Sequence, residues 1–340
     1  MRVTSRRELA TDVVAVGLAS LDGGPLPDFE PGQHLVLRRR EGDADPIIRC
    51  YSLTGPARNL SRASYNIAVR RIGAASERAD PPPGRMSTLI HERLSIGEIV
   101  EIKAPSGTFC IPLTADKPIV LVAGGIGITP FMAHLETVAM LQSAPRIHLV
   151  YANRTAASEA FSQRIAELQR LIPSLTVTKF FSDAAATTPG GAQRRISATA
   201  DILLEEFADP PLVFFCGPPS MTAALRRALA DAGHPREFVF EEAFTASQID
   251  VSQLPSGPFS VTFSTSGKTV TWDRARGSLL DLAEAEGVKI ANGCRAGQCE
   301  SCALEVLDGK FQYRTALDRD DADPCLACQA VPMSDLVIAA

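Results

Sequence analysis

No stretch of this 340-residue chain approaches the roughly 20 apolar residues that a bilayer-spanning helix needs, so no membrane partner is expected. Basic runs are equally scarce. Arg38-Arg39-Arg40 is short and reads as a solvated strand end, and with a net charge of -5 the chain offers nucleic acid no phosphate-binding track. Arg2, Arg6 and Arg7 precede the apolar Val13-Val14-Ala15-Val16-Gly17-Leu18, but Glu8 and Asp12 interrupt and no small-x-small cleavage site follows. That segment reads as the first β-strand, not as a secretory signal. There is no internal repeat, and the eight cysteines are not spaced as a disulfide framework, which suits a reducing cytoplasm. What is present is ordinary for a globular protein, 45% hydrophobic and 21% charged, and long enough for two or three domains.

The cysteines carry the sharpest signal. Cys294-x4-Cys299-x2-Cys302, with Cys328 following after 25 residues, has the ligand spacing of a plant-type 2Fe-2S cluster. Three thiolates must converge on one small inorganic core, so Gly293 and Gly297 are expected to supply backbone angles that a Cβ forbids and to let amide N-H groups approach the anionic sulfurs. Cys299-x2-Cys302 and Cys325-x2-Cys328 also form two CxxC pairs, the pattern of a four-thiolate zinc site. Zinc would leave Cys294 idle and the glycines beside it without a reason.

Residues 1–113 read as short β-segments between Gly/Pro turns: Asp12 to Ala19, Gln33 to Arg40, Arg49 to Leu53, Tyr65 to Arg71 and Ile99 to Ala104, with one helix over Ser87 to Arg93. That mixture predicts an antiparallel β-barrel with a covering helix. Over 114–244 apolar strands (Ile119 to Ala123, Ile147 to Tyr151, Thr176 to Phe181, Leu212 to Cys216, Glu237 to Glu241) alternate with helices (Pro130 to Leu141, Ser158 to Leu171, near Asp201 to Glu206, Ser220 to Ala232). This predicts an α/β doubly wound parallel sheet. Residues 245–257 read as a linker, and 258–340 as an α+β unit with a helix around Leu279 to Glu286 and the cysteine cage.

Four further motifs lie upstream. Gly124-Gly125-Ile126-Gly127-Ile128-Thr129-Pro130 leads from an apolar strand into a helix, where glycines let backbone approach a pyrophosphate and Thr129 can cap; Pro130 takes the place of the third glycine of G-x-G-x-x-G. Cys216-Gly217-Pro218 ends a later parallel strand, on the edge where open α/β sheets bind ligands. On Arg49-Cys50-Tyr51-Ser52, alternation puts Arg49 and Tyr51 on one face, a cation for phosphate beside a ring for a planar cofactor, with Ser52 on the other. Gly84-Arg85-Met86-Ser87-Thr88 opens a helix, whose N-terminus suits an anion.

Together these residues resemble the ferredoxin-NADP reductase superfamily, and more closely its three-domain flavin and 2Fe-2S reductases that feed oxygenases. The matches are RxYS (Arg49, Tyr51, Ser52), GxxST (Gly84 to Thr88), GGxGxTP (Gly124 to Pro130), CGP (Cys216 to Pro218) and the ferredoxin cysteines. The resemblance implies a multidomain chain of flavin β-barrel, nicotinamide domain and β-grasp ferredoxin, passing electrons from NADH or NADPH through flavin and cluster to a terminal oxygenase or other electron-accepting protein. It implies cofactor contacts at Arg49, Tyr51, Ser52, Arg70, Gly84, Met86, Ser87, Thr88, Gly124, Gly125, Gly127, Thr129, Cys216, Gly217, Pro218 and Phe244, with Ser52 and Cys216 as catalytic positions and Cys294, Cys299, Cys302 and Cys328 on the metal. Arg49 would contact the flavin phosphate, Tyr51 would pack on the isoalloxazine, Ser52 would hydrogen-bond near N5, and Phe244 would close the flavin face.

Leu89-Ile90-His91 after GxxST is more like the FAD-binding members, with FMN the alternative. The second parallel strand ends in Asn153-Arg154-Thr155, without the acidic residue that would take a ribose 2'-hydroxyl, so NADH and NADPH both stay open. Two other functions fit the motifs: a stand-alone flavin reductase acting on a small molecule or oxygen, and a flavin reductase carrying a zinc-binding interaction domain. Colour separates the metals, because a zinc-thiolate site is colourless. The purified protein is expected to show visible flavin and iron-sulfur absorbance with acid-labile sulfide; a colourless C-terminal unit containing zinc would refute the cluster.

Overall fold

The computed structural model describes residues 1–40, 47–59, 62–73, 84–141, 145–183, 192–193, 207–244, 253–297, 299–314 and 324–340. The chain forms two compact units, Met1–Phe244 and Thr245–Ala340. The helix expected near Asp201 to Glu206 and residues 245–252 of the expected linker lie outside the described residues.

The first unit opens with two three-stranded antiparallel sheets. One joins β1 (Arg2–Ala10), β2 (Val13–Ala19) and β5 (Ser64–Arg70) in the order β1-β2-β5; the other joins β3 (His34–Arg39), β4 (Ile47–Ser52) and β6 (Glu101–Ile102) in the order β4-β3-β6. A Leu53–Ile67 bridge links them. Alternation sends Val14, Val16 and Leu18 of β2 inward to meet Leu35, Leu37, Ile67 and Val69, which makes this the barrel core. Helix α1 (Arg85–Glu92) buries Met86, Leu89 and Ile90, the i, i+3, i+4 stripe, in that core. The first strand expected within residues 1–113 starts at Asp12, and β1 precedes it. Only Val3 of β1 is buried, so no apolar alternation marks the strand; its ladder to β2 makes it one.

The rest of the unit is a six-stranded, wholly parallel sheet. It comprises β7 (Ile119–Gly124), β8 (Ile147–Asn153), β9 (Leu175–Phe181), β10 (Ala192–Gln193), β11 (Leu212–Cys216) and β12 (Val239–Glu242), in the order β10-β9-β8-β7-β11-β12. Helices α2 (Thr129–Leu141) and α3 (Ser162–Leu171) bury Phe131, Leu135, Ile165 and Leu168 with Leu121 and Leu149. On the other face α4 (Pro219–Asp231) packs Leu225 and Leu229 with Val120, Val122 and Phe215, as a doubly wound sheet requires. Helix α3 starts four residues later than expected. Thr155 and Ser158 cap a single 3-10 turn reciprocally, and Phe161 then takes a left-handed φ of 59°, which resets the chain before the helix begins.

Barrel and sheet share side chains. Val13, Ala68 and Ile111 belong to the same cluster as Ile119, Leu121 and Phe131, and Phe109 packs on Phe131 and Phe214 with ring centroids at 6.3 and 5.7 Å. This common core explains why the two architectures form one unit.

The second unit is a β-grasp. A mixed sheet, β14-β13-β20-β16, is built from β13 (Phe259–Phe263), β14 (Lys268–Trp272), β16 (Val306–Asp308) and β20 (Leu336–Ile338). Helix α5 (Leu279–Ala285) buries Leu279, Leu280, Leu282 and Ala283 among Val261, Phe263 and Trp272. Ser278 and Asp281 cap it reciprocally. Two short ladders complete the unit, β15 (Ala303–Leu304) with β18 (Cys325–Leu326) and β17 (Phe311–Tyr313) with β19 (Ala330–Pro332).

Strand order reverses between β7 and β11, the switch point of the parallel sheet. There a Cβ on Gly127 would lie 2.2 Å from the carbonyl oxygen of Cys216, which cannot yield without moving the end of β11. Gly127→Ala is therefore expected to destabilise the first unit by about 1–3 kcal/mol and to raise KM for the nicotinamide substrate by on the order of tenfold. Thermal unfolding and steady-state kinetics measure both; a KM equal to wild type would overturn the assignment of this turn.

Candidate functional site

The crevice at the switch point is lined from both sides. Register aligns Cys216 of β11 with Ala123 of β7, so the glycine turn after β7 and the Gly217-Pro218 turn after β11 lie side by side. Close approach is built in: a Cβ on Gly124 would meet Pro218 at 2.6 Å and Met221 at 2.8 Å, and Gly125 has φ 54°. Thr129 is buried, and its Oγ1 donates to Ile126 O at 3.0 Å, closing the turn into α2. Cys216 is fully buried, and desolvation pushes its thiol well above the usual range, so it stays protonated.

The barrel contributes Arg70 to this crevice. Exposed at the end of β5, it brings Nη1 to 3.7 Å from the point a Cβ on Gly125 would occupy. A cation thus stands beside a loop of close-approaching amides, an arrangement that fits the pyrophosphates of dinucleotides. On β4, Arg49 is exposed, Tyr51 is half-buried and Ser52 is buried. Burial pushes the Tyr51 phenol upward, with the nearby Arg49 charge opposing. Ser52 Oγ is buried and has no hydrogen-bond partner among the described residues. A buried hydroxyl left unpaired is costly, and a polar atom of a flavin ring would satisfy it.

At α1, Gly84 is the N-cap and no side chain caps the first turn, which leaves first-turn amides for an anion. Two of the expected contacts here are engaged within the protein. Ser87 Oγ donates to Gly84 O at 3.0 Å and accepts from Ile72 N at 3.1 Å, while the Met86 side chain lies in the barrel core. Thr88 is half-buried one turn into the helix, its amide bonded to Gly84 O at 2.9 Å. Phe244, 39% exposed, follows β12 at the end of the unit.

In the second unit the cysteine loop folds back on itself. Cys294 N and Ala296 N donate to Cys299 Sγ and Cys294 Sγ at 3.3 and 3.4 Å, and Cys299 N donates to Cys294 Sγ at 3.3 Å. A hydrogen bond with Cys328 holds Cys302 below the usual thiol range, and the same contact pushes Cys328 up. Four thiols outside any disulfide, with inward amides, fit a cluster of negative charge. Gly297 has the expected positive φ, 77°, but Gly293 does not; Arg295 (φ 56°) and Glu300 (φ 54°) supply the other left-handed turns. Cys325 is buried on β18, opposite Leu304.

Two residues here escaped the motif reading. His34 of β3 is buried directly across from Ser52, and directly opposed residues share a face of the sheet. Glu242 is buried at the end of β12 in register with Cys216, its Oε2 without a hydrogen-bond partner among the described residues. Both needed strand register, which spacing alone does not give.

Burial pushes the Glu242 carboxyl up to about 8. An acid raised in the folded state favours unfolding as pH climbs from its unfolded value, about 4.3, to its folded one. Glu242→Gln is therefore expected to gain stability over wild type by about 1 kcal/mol per pH unit across that window. Denaturant unfolding at pH 5 and pH 8 tests this, and an equal margin at both would contradict it.

Family comparisons agree with this geometry. Residues 1–111 match the oxidoreductase FAD-binding domain, 121–227 the oxidoreductase NAD-binding domain and 261–333 the 2Fe-2S iron-sulfur cluster binding domain. The chain is 32% identical over 323 residues to the ferredoxin reductase component of 3-ketosteroid-9-alpha-monooxygenase from Mycobacterium tuberculosis, covering 91% of this chain and 84% of that protein. It is 30% identical over 314 residues to the heme-dependent oxidative N-demethylase beta subunit of Ectopseudomonas mendocina, covering 92% and 89%. Among solved structures, phthalate dioxygenase reductase, described as a modular structure for electron transfer from pyridine nucleotides to 2Fe-2S, superposes with a TM-score of 0.62 at 26% identity, covering 100% of this chain and 97% of that one. With FAD, nicotinamide and 2Fe-2S domains in this order, the chain belongs to the three-domain flavin and iron-sulfur reductases of the ferredoxin-NADP reductase superfamily.

Proposed function

We propose that this chain is the reductase component of an oxygenase system, carrying electrons from NAD(P)H through FAD and a 2Fe-2S cluster to a separate terminal oxygenase. The observation that carries this reading is the crevice where Gly124–Gly127, Cys216 and Arg70 converge, in a chain that also holds a four-thiolate cage. Relatives named as the reductase parts of monooxygenase and demethylase systems support it. The functional divisions fall at 1–113, 114–244, 245–257 and 258–340, and the compartment is the cytoplasm. Among the described residues no helix is long and apolar enough to cross a membrane.

Each side chain then has a part. Arg49, Arg70 and the open first turn of α1 at Gly84 hold phosphates by charge and by amide N-H. In α1, Met86 and Ser87 serve by anchoring the turn, and Thr88 lies at its mouth. Tyr51 packs on the flavin ring, Phe244 covers a ring face, and Ser52 Oγ hydrogen-bonds near the flavin nitrogen that receives hydride. Gly124, Gly125 and Gly127 admit the nicotinamide pyrophosphate, with Thr129 closing their turn, while Gly217 and Pro218 set Cys216 against the nicotinamide. When bound, flavin accepts two electrons with a hydride and releases them singly, a conversion no side chain here can perform. Cys294, Cys299, Cys302 and Cys328 hold the iron.

Residues 258–340 contain 8 Lys/Arg against 12 Asp/Glu, a net -4, most of the chain's charge. A basic face on the acceptor is the complement. Anaerobic NAD(P)H is expected to bleach flavin and cluster in the purified protein; a cluster that stays oxidised while the flavin is reduced would overturn the relay. Reduction of a purified oxygenase partner is expected to slow severalfold as salt rises from low to high ionic strength, and a rate indifferent to salt would remove the acidic docking face.

A further inference from the structure

We propose that Gln329 is a positioning residue for the cluster, holding one peptide group so that its N-H points at a ligand sulfur and thereby raising the reduction potential. The inference rests on the reading of Cys294, Cys299, Cys302 and Cys328 as the ligands.

Gln329 follows Cys328 and is 2% exposed, in a segment whose neighbours Leu326, Ala327, Ala330 and Val331 are also buried. Burying a side-chain amide without partners costs about 1–3 kcal/mol, so its hydrogen bonds show what it is for. Nε2 donates to the carbonyl oxygen of Arg295 at 2.7 Å, across 34 residues of sequence. That carbonyl and the N-H of Ala296 belong to one planar peptide, so in its trans form they point in opposite directions. The Ala296 N-H donates to Cys294 Sγ at 3.4 Å. Gln329 therefore grips the back of the peptide whose front faces a ligand sulfur.

The strut has a fixed base. Gln329 N donates to Leu326 O at 2.9 Å and Gln329 O accepts from Arg314 N at 2.7 Å, so its backbone is held on both sides. The peptide it grips begins at a strained residue, Arg295. The residue sits at φ 56°, a left-handed conformation that costs a non-glycine residue about 1–2 kcal/mol, and its guanidinium pairs with Glu284 and Asp281 at the surface, where ion pairs contribute little.

Reduction adds one negative charge to a cluster already bound by thiolates. An N-H aimed at a ligand sulfur stabilises that added charge, and hydrogen bonds to sulfur are among the settings of iron-sulfur potentials. Releasing the peptide should make the cluster harder to reduce.

The test uses the full-length, cofactor-loaded protein. Gln329→Leu keeps the volume and removes the donor; Gln329→Glu keeps the shape and turns an acceptor toward the carbonyl. EPR-monitored redox titration is expected to move the cluster midpoint to a more negative value in both variants at wild-type iron content, with the flavin midpoint unmoved. A loaded Gln329→Leu protein with the wild-type midpoint overturns the proposal. Should both variants lose the cluster, hydrogen exchange in the loaded wild type decides: a protected Ala296 amide supports the strut, and a freely exchanging one overturns it. Absence of iron and sulfide from the wild type would instead sink the ligand assignment beneath it.

Discussion

Gly127 lies so close to the carbonyl oxygen of Cys216 that no Cβ fits between them, and the form of the candidate site depends on that contact. It locks the turn after β7 against the end of β11, the two strands between which the parallel sheet reverses its order. The barrel is seated on the same frame. Phe109 packs on Phe214, two residues before Cys216, and Ile111 shares the cluster of Ile119 and Leu121. Arg70 thereby reaches Gly125 from a strand that belongs to the other architecture. The shared core thus brings a cation of the barrel beside the close-approaching amides of the sheet.

The second unit meets a different demand, the gathering of four thiolates. Like charges repel, so the loop surrounds them with donors: the amides of Cys294, Ala296 and Cys299 turn inward. The backbone bends needed for this fall on Arg295, Gly297 and Glu300, two of which carry side chains that disfavour them. Strain at such positions persists only where the surroundings fix it, and the Gln329 side chain is one such fixture. Glu242 poses the converse case in the first unit, an acid kept from water with no cation beside it among the described residues, which holds a proton near neutral pH.

Much of this was legible in the sequence. Continuous apolar runs such as Ile119 to Ala123 announce strands buried on both faces, because a parallel sheet covered by helices leaves neither face wet. Cysteine spacing pointed to a tight loop, since three thiols within nine residues can meet only there. Motifs built on contiguous residues, Gly124 to Pro130 and Cys216 to Pro218, were readable because turns of close-approaching backbone are written in consecutive glycines and prolines. Tertiary structure decided the rest. Strand β1 has almost no apolar pattern and exists through its ladder to β2. The start of α3 turned on a local cap at Thr155 and Ser158 that outweighed the helical run around it. His34 beside Ser52, Glu242 beside Cys216 and Gln329 at the Arg295 carbonyl are pairings across strands or across 34 residues of chain. Sequence determined which groups this protein owns and which chemistry they suit; only register and packing decided which of them face one another, because contact between distant residues is a property of the folded core and not of their spacing.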